Sequence, residues 1–291
     1  MDNSKKVIGI GEILWDMLPA GKQLGGAPTN FAYHARQLGL RSSIISSVGN
    51  DDLGHEIIQN IKDAGIINFI DIKDKSTGTV SVQLDKNGVP NYIIHEDVAW
   101  DFITPSESAI EFAGKADAVC FGSLAQRAET SFHSIQKILE IVPGTALKVF
   151  DINMRQRFYS KDIIQKSLKK ANVLKINDEE ILVFAEMFSL SGDEFEIMHQ
   201  ILNNYNLKIL ALTKGAEGSW LISREEDSYL DTPKVSVADT VGAGDSFTAG
   251  LVAGLLKNKP LKEIHRSAVD ISAFVCTQKG ATPILPDHLI I

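Results

Sequence analysis

Short apolar runs at 118–123, 148–153, 173–177 and 209–213 recur through the chain, separated by helical patterns near 131–141, 161–170, 179–188 and 194–203. Runs this short, bounded by turn residues, read as buried strands. Strands alternating with helices at this spacing build a largely parallel sheet covered on both faces. Runs at 7–10 and 42–48 carry the alternation into the N-terminal half, the second followed by a helix through about residue 62. The expected class is therefore α/β. One stretch breaks the period: within 78–100, TVSVQL, a DKNG turn and PNYIIHE alternate with period two about a tight reversal, the pattern of a hairpin. A hairpin inside a βα series reads as an added flap, where Tyr92 and Trp100 either face a ligand or stiffen the insertion.

With 291 residues, no repeat and no Pro/Ser linker, the chain reads as one domain carrying that flap. A net charge of −8 without a basic run argues against nucleic acid or an anionic membrane as the main partner. It leaves a phosphorylated ligand open, because local donors decide that. No stretch approaches the roughly 18 apolar residues of a membrane span, and the N-terminal apolar run is too short for a signal peptide. Cys120 and Cys276 have apolar neighbours and no metal-ligand spacing, so both read as buried thiols in a reducing, cytoplasmic setting.

The chemistry concentrates in DTVGAGDSFTAGLVAGLL, residues 239–256. Gly242, Ala243 and Gly244 run into a helix whose apolar stripe is Phe247, Leu251 and Leu255, widened by Val252 and Leu256. N–H groups at a helix start lack partners and attract anions, and small residues leave them uncovered. Asp245 stands in the first turn beside the same pocket, where the dipole favours its ionised form. An anion hole next to a carboxylate suits phosphoryl transfer to an alcohol: the hole holds the phosphoryl charge and the carboxylate accepts the hydroxyl proton. A capping Asp in a Gly-rich turn explains G-A-G-D by itself equally well. Gly250 and Gly254 each cost roughly 1 kcal/mol relative to alanine in mid-helix, so they require close packing or a function.

Other polar positions take their meaning from this helix. Gly9 and Gly11 begin a dinucleotide fingerprint that lacks its third glycine and its helix, which excludes it. Asp16, in ILWDMLPAGKQ, is either a solvated turn residue or a carboxylate at a strand's carboxyl end, where open α/β sheets bind ligands. In GGAPTNFAYHARQLG, residues 25–39, Thr29 or Asn30 suits an N-cap, whereas Gly25 and Gly26 expose backbone for close approach of a ligand. DINMR sets Asp151, Asn153 and Arg155 past one strand, KINDEE sets Asn177 and Glu180 past the next, and LTKGAEGS sets Thr213, Gly215 and Gly218 past a third. Caps and turns account for each alone. Three clusters on the sheet side where Asp245 must lie mark a nucleotide site.

GGAPTNFAYHARQLG and DTVGAGDSFTAG together resemble the two signature regions of the ribokinase-like (pfkB-type) carbohydrate kinases, and the likeness runs nearly the whole chain. GEILWDMLP, HEDVAWDFI and DINMRQRFY are more narrowly similar to bacterial fructokinases. The resemblance implies a three-layer α/β/α sandwich with a mostly parallel, doubly wound sheet, one kinase domain over 1–291. It also implies a small β-sheet lid from roughly 12–24 and 76–103, closing over the sugar and serving as the contact of a homodimer. The implied reaction is ATP-dependent phosphorylation of a sugar hydroxyl, with fructose as the leading acceptor. 2-Keto-3-deoxygluconate, or another sugar taken by the same family, is the alternative: Arg155 either pairs with a sugar-acid carboxylate or serves only a structural ion pair.

The resemblance makes Asp245 the base and Gly242, Ala243 and Gly244 the anion hole. Asp16, Gly26 and Asn30 match positions that bind sugar hydroxyls, with Gly25, Trp100 and Arg155 beside them. Asn177 and Glu180 match an N-x-x-E pattern that organises magnesium and phosphate, through water. Thr213, Gly215 and Gly218 match the nucleotide loop, with Gly244 also at the nucleotide, although Lys214 departs from the small or apolar residue expected there. Asp239 and the Val241 carbonyl match a monovalent-cation site, which implies potassium. A non-catalytic sugar sensor on the same fold is the reading from another class; the intact Gly242–Asp245 and Asn177–Glu180 elements speak against it.

Overall fold

The computed structural model describes residues 4–19, 21–84 and 90–290. The first half runs β1 (Lys6–Ile10), β2 (Leu14–Leu18), β3 (Gly21–Gly25), α1 (Ala27–Gln37), β4 (Arg41–Gly49), α2 (Asp52–Asp63), β5 (Ile67–Lys73), β6 (Gly78–Leu84), β7 (Pro90–Ile94) and α3 (Glu107–Ala113). The series continues with β8 (Ala118–Phe121), α4 (Glu129–Ile141), β9 (Leu147–Asp151), α5 (Lys161–Leu168), β10 (Val173–Asn177), α6 (Asp178–Phe188), α7 (Glu194–Asn204) and β11 (Ile209–Thr213). It ends with β12 (Ser219–Ser223), β13 (Asp227–Leu230), α8 (Ala243–Leu256) and α9 (Leu261–Cys276).

Nine strands form one sheet in the order β13-β12-β11-β10-β9-β8-β1-β4-β5. Pairing is parallel from β11 to β5, and only β12 and β13 join antiparallel. The strands are apolar on both faces. Along β1, Ile8 and Ile10 pack with α3–α7, while Val7 packs with α1, α8 and α9. Strand β8 alternates in the same way, Val119 and Phe121 to one face and Ala118 and Cys120 to the other. This period-two division between two helical layers is what a parallel sheet demands. The chain leaves β1 for β4 on one side and reaches β8 on the other. The carboxyl end of β1 is therefore a topological switch point, where open α/β sheets bind ligands.

Four strands form a second, small sheet in the order β3-β2-β6-β7. β2–β3 and β6–β7 are antiparallel, and β2–β6 is parallel. The hairpin of β6 and β7 is the expected flap, its DKNG turn lying outside the described residues. Strands β2 and β3 fall in the 12–24 part of the lid that the resemblance implied, but the residue pattern alone did not show them, because Pro19 and Gly21 suggest a turn where the chain reverses between two short strands. Asp16 consequently sits mid-strand in the small sheet and not at the carboxyl end of a strand of the large one.

Helix α8 is buried from Ser246 to Gly254, packed between α1 and α9. The packing explains its two interior glycines. A Cβ on Gly250 would lie 3.0 Å from the Ala268 Cα, and one on Gly254 would lie 2.9 Å from Ile264 Cγ1. Gly9 has a similar reason, since a Cβ there would meet the Pro28 carbonyl oxygen at 2.2 Å. These glycines bring helices close to neighbours; they are not part of a nucleotide fingerprint.

Candidate active site

A cleft of about 960 Å³ lies over the carboxyl ends of the parallel strands. Glu12 enters it after β1, Asn153 and Arg155 after β9, Asn177 from the end of β10 and Thr213 from the end of β11. Asp16, Val80, Tyr92 and Ile94 of the small sheet line another wall, and Gly242–Asp245 line it from the start of α8.

Gly242 caps α8 at φ +78°. A Cβ at this position would lie 2.5 Å from the Ala281 carbonyl oxygen, so both conformation and space require glycine. The segment before it is held by Asp239, whose Oδ1 accepts from the Val241 N–H at 3.1 Å and Oδ2 from the Gly280 N–H at 3.1 Å. Val241 lines the cleft.

Asp245, half-buried, accepts at Oδ2 from Asn30 Nδ2 at 2.8 Å. Burial, followed by the charge of Asp151, pushes its pKa up to about 6, despite Asn30, Lys175 and Arg155. At about 6 the group is still mostly ionised at neutral pH. Loss of hydration outweighs the dipole, and the carboxylate becomes a better proton acceptor.

The GGAPTN segment folds differently at its cap from the sequence expectation. Gly26, at φ +106°, is the N-cap of α1, and Pro28 sits in its first turn, as proline's missing N–H permits. Thr29 and Asn30 are therefore inside the helix, and both donate backbone N–H to the Gly26 carbonyl. That frees the Asn30 side chain for Asp245, and its Oδ1, buried, has no partner among the described residues. Gly25 lies beside Asp16: a Cβ on Gly25 would fall 2.4 Å from Asp16 Oδ2. Burial raises the Asp16 pKa to about 6.

Trp100 does not face the cleft. It is 1% exposed in a short 3-10 turn, with the Arg127 guanidinium 3.9 Å from its ring centroid. Arg127 also pairs with Asp101 at 2.8 Å. Of the two alternatives, stiffening describes Trp100; Tyr92, 52% exposed, lines the cleft. The two thiols also differ from expectation in one respect. Both are free and Cys120 is buried, but Cys276 is only partly buried and reaches the cleft.

Asn177 and Glu180 form a capping box at the start of α6: Asn177 Oδ1 accepts from the Glu180 N–H, and Glu180 Oε2 from the Asn177 N–H. Glu180 Oε1 accepts from the Met154 N–H at 2.8 Å, which ties α6 to the loop after β9. Burial raises the Glu180 pKa, against the pull of Lys175. Its acceptors are largely committed to backbone, so Asn177 is the member that reaches the cleft. Arg155 donates from Nη2 to Asn153 Oδ1 at 2.7 Å, beside Glu180 at 4.0 Å.

The loop after β11 places Gly215 at φ +50° and Gly218 at φ +148°, both in the cleft wall with Thr213. Thr232 Oγ1 donates to the Gly215 carbonyl at 2.6 Å. Lys214, the departure noted in this loop, turns away to Glu194 at 3.1 Å and Glu217 at 3.3 Å, leaving the cleft side to its small neighbours.

Glu12 and Lys175, both buried in the cleft, went unrecognised in the sequence. Glu12 is 3% exposed, its Oε2 has no partner among the described residues, and burial lifts its pKa to about 7. Lys175 is 5% exposed and pairs with Asp151 at 3.1 Å. A charged residue inside an otherwise apolar strand was the available signal for Lys175, and the position next to the GxG-like run was the signal for Glu12.

The profile of the pfkB family carbohydrate kinases matches residues 20–288, and the chain belongs to that family. It is 30% identical to an uncharacterized sugar kinase from Pyrococcus horikoshii, over 94% of this chain and 91% of the relative. The solved structure of that protein superimposes with a TM-score of 0.82, covering 96% and 94% of the two chains at 28% identity. A fructokinase from Salmonella typhimurium is 30% identical over 97% of this chain and 96% of its own. The ATP-bound fructokinase structure from Xylella fastidiosa matches with a TM-score of 0.85 at 22% identity, covering 97% and 95%, a likeness of fold.

Proposed function

We propose that the protein is an ATP-dependent fructokinase. The observation that carries the reading is Asp245 in the first turn of α8, aligned by Asn30 beside Gly242 and Gly244, inside the cleft; the Ala243 N–H, expected in the anion hole, donates instead to the Thr240 carbonyl at 3.3 Å. Its neighbours in sequence include the Salmonella fructokinase. The sugar hydroxyl oxygen forms a bond to the γ-phosphorus, the bond to the ADP oxygen breaks, and the hydroxyl proton passes to Asp245. The transition state is loose, so positioning and charge stabilisation supply most of the acceleration. The α8 N–H groups face the charge that develops on the phosphoryl oxygens. Because the proton leaves late, a carboxylate titrating near pH 6 is basic enough.

In this reading Asp16, Gly25, Gly26, Asn30 and Arg155 surround the sugar, with Glu12 below them. Thr213, Gly215 and Gly218 take the nucleotide, with Asn177 and Gly244 at its phosphates. The small sheet acts as a lid on one kinase domain; it would exclude water and suppress ATP hydrolysis, and its outer face would join two copies. Magnesium, bound through water by Asn177 and more distantly by Glu180, would neutralise phosphate charge. Asp239 and the Val241 carbonyl would hold potassium against the start of α8; the acidic side chain beside a bent backbone is a donor set suited to a weakly hydrated cation. The setting is the cytoplasm.

A second acceptor class is favoured by one observation. The Arg155 guanidinium lines the cleft, half exposed, and suits the carboxylate of 2-keto-3-deoxygluconate. ADP release measured with fructose, ribose, 2-keto-3-deoxygluconate and adenosine separates the readings. Fructose-dependent turnover supports the fructokinase, turnover only with the sugar acid replaces it, and binding without turnover would revive the sensor.

A further inference from the structure

Strand β10 is apolar at Val173, Leu174 and Ile176, all fully buried, yet carries Lys175 at its centre. Removing an ammonium from water is costly, and one buried carboxylate repays that cost poorly. Asp151 stands directly opposite in the register of β9 and β10, 3.1 Å away, and its other oxygen accepts from Thr248 Oγ1 at 2.9 Å. A purely structural pair would be the plain explanation. The two strands are already registered by their backbone ladder, however, and apolar residues of similar volume would hold them as well.

The position of the ammonium supplies a different reason. A Cβ on Gly244 would lie 2.8 Å from Lys175 Nζ, so the ammonium rests against the first turn of α8, and Lys175 lines the cleft with Asp245. A cation beside the positive end of a helix is unfavourable unless an anion comes between them. Asp151 offsets part of this. We propose that Lys175 is a catalytic residue whose Nζ completes the anion hole at the start of α8 and binds the phosphoryl group in transfer, with Asp151 as its positioning residue. In the transfer the ammonium donates hydrogen bonds and gives up no proton; the only proton that moves goes from the sugar hydroxyl to Asp245.

The inference rests on reading this cleft as a phosphoryl-transfer site. The test uses the full chain with ATP, magnesium and the acceptor sugar the wild type turns over. Lys175→Met should lower kcat by ~100-fold or more, as loss of an oxyanion donor does, while KM for the sugar stays within ~3-fold. ADP affinity should also stay near that of the wild type, but its tightening by aluminium fluoride, a mimic of the phosphoryl in transfer, should disappear. Asp151→Asn breaks the ion pair and keeps the ammonium, so it should retain at least ~10-fold more turnover than Lys175→Met. Equal losses in the two variants, with aluminium fluoride tightening preserved, would mark a structural pair and overturn the proposal. Lys175→Gln repeats the test should the methionine variant not fold. Near-normal kcat in either lysine variant of an active wild type overturns this inference alone. A wild type with no sugar-dependent turnover would overturn the functional reading along with it.

Discussion

Asn30 Nδ2 donates to Asp245 Oδ2 at 2.8 Å, across 215 positions of sequence, and so joins the opening turn of α1 to that of α8. The two signature stretches become one device through this bond. The acceptor oxygen of Asn30 is buried and has no partner among the described residues.

Replacing Asn30 with alanine removes the donor that orients Asp245. Steady-state kinetics should show kcat/KM reduced by ~10- to 100-fold, the scale of a lost positioning contact. Because the Asn30 bond lowers the Asp245 pKa, the acidic limb of the pH profile should move upward. An unchanged limb would mean that the bond does not persist in solution.

For the wild type, the limb itself is a prediction. Asp245 must be ionised to accept the proton, and its pKa is raised to about 6, so kcat/KM should fall as pH drops through about 6. A limb near 4 would contradict the desolvated setting of the site.

Glu12 gives a stability effect of the opposite kind to a salt-bridged carboxylate. Its folded pKa, about 7, lies above the unfolded value of 4.5, so the folded chain binds the extra proton. Stability from this group is full below the unfolded value and is lost as pH rises from there through about 7. Glu12→Gln should therefore raise Tm at pH 8, by an amount worth on the order of 1–3 kcal/mol, and leave it unchanged at pH 4.5. A Tm gain equal at both pH values would point to packing instead.

Glu180→Gln separates a cap from a magnesium role. Loss of the charged half of the capping box should cost about 1 kcal/mol of stability. If the group also organises magnesium through water, the magnesium concentration for half-maximal rate should rise by ~10-fold, as for outer-shell partners of metals. A lower Tm with an unchanged magnesium requirement would confine Glu180 to capping α6.

The large sheet and its helices were legible because strand runs such as 173–177 and 209–213 match β10 and β11, their apolar character following from burial on both faces. The small sheet was half legible. Period two revealed β6 and β7, whereas Pro19 and Gly21 hid β2 and β3 from the residue pattern, and only the family resemblance put 12–24, with Asp16, in the lid. The Gly242–Asp245 turn could be singled out because a helix start leaves donors free, whatever the tertiary context. Glu12, Lys175 and the burial of Trp100 could not, since each depends on what distant elements pack around it. The raised pKa of Asp245 is of the same kind: its first cause is burial, which local sequence does not carry.

The most direct test of the account is Asp245→Asn, assayed for fructose-dependent ADP release alongside calorimetric binding of ATP and fructose. The change is nearly isosteric and keeps partners for the Asn30 amide, so the fold and both binding affinities should hold. Turnover should fall by ~1,000-fold or more, with loss of the proton acceptor and its orienting charge. A variant that binds both ligands and turns over at a near-normal rate would remove Asp245 from the centre of the mechanism.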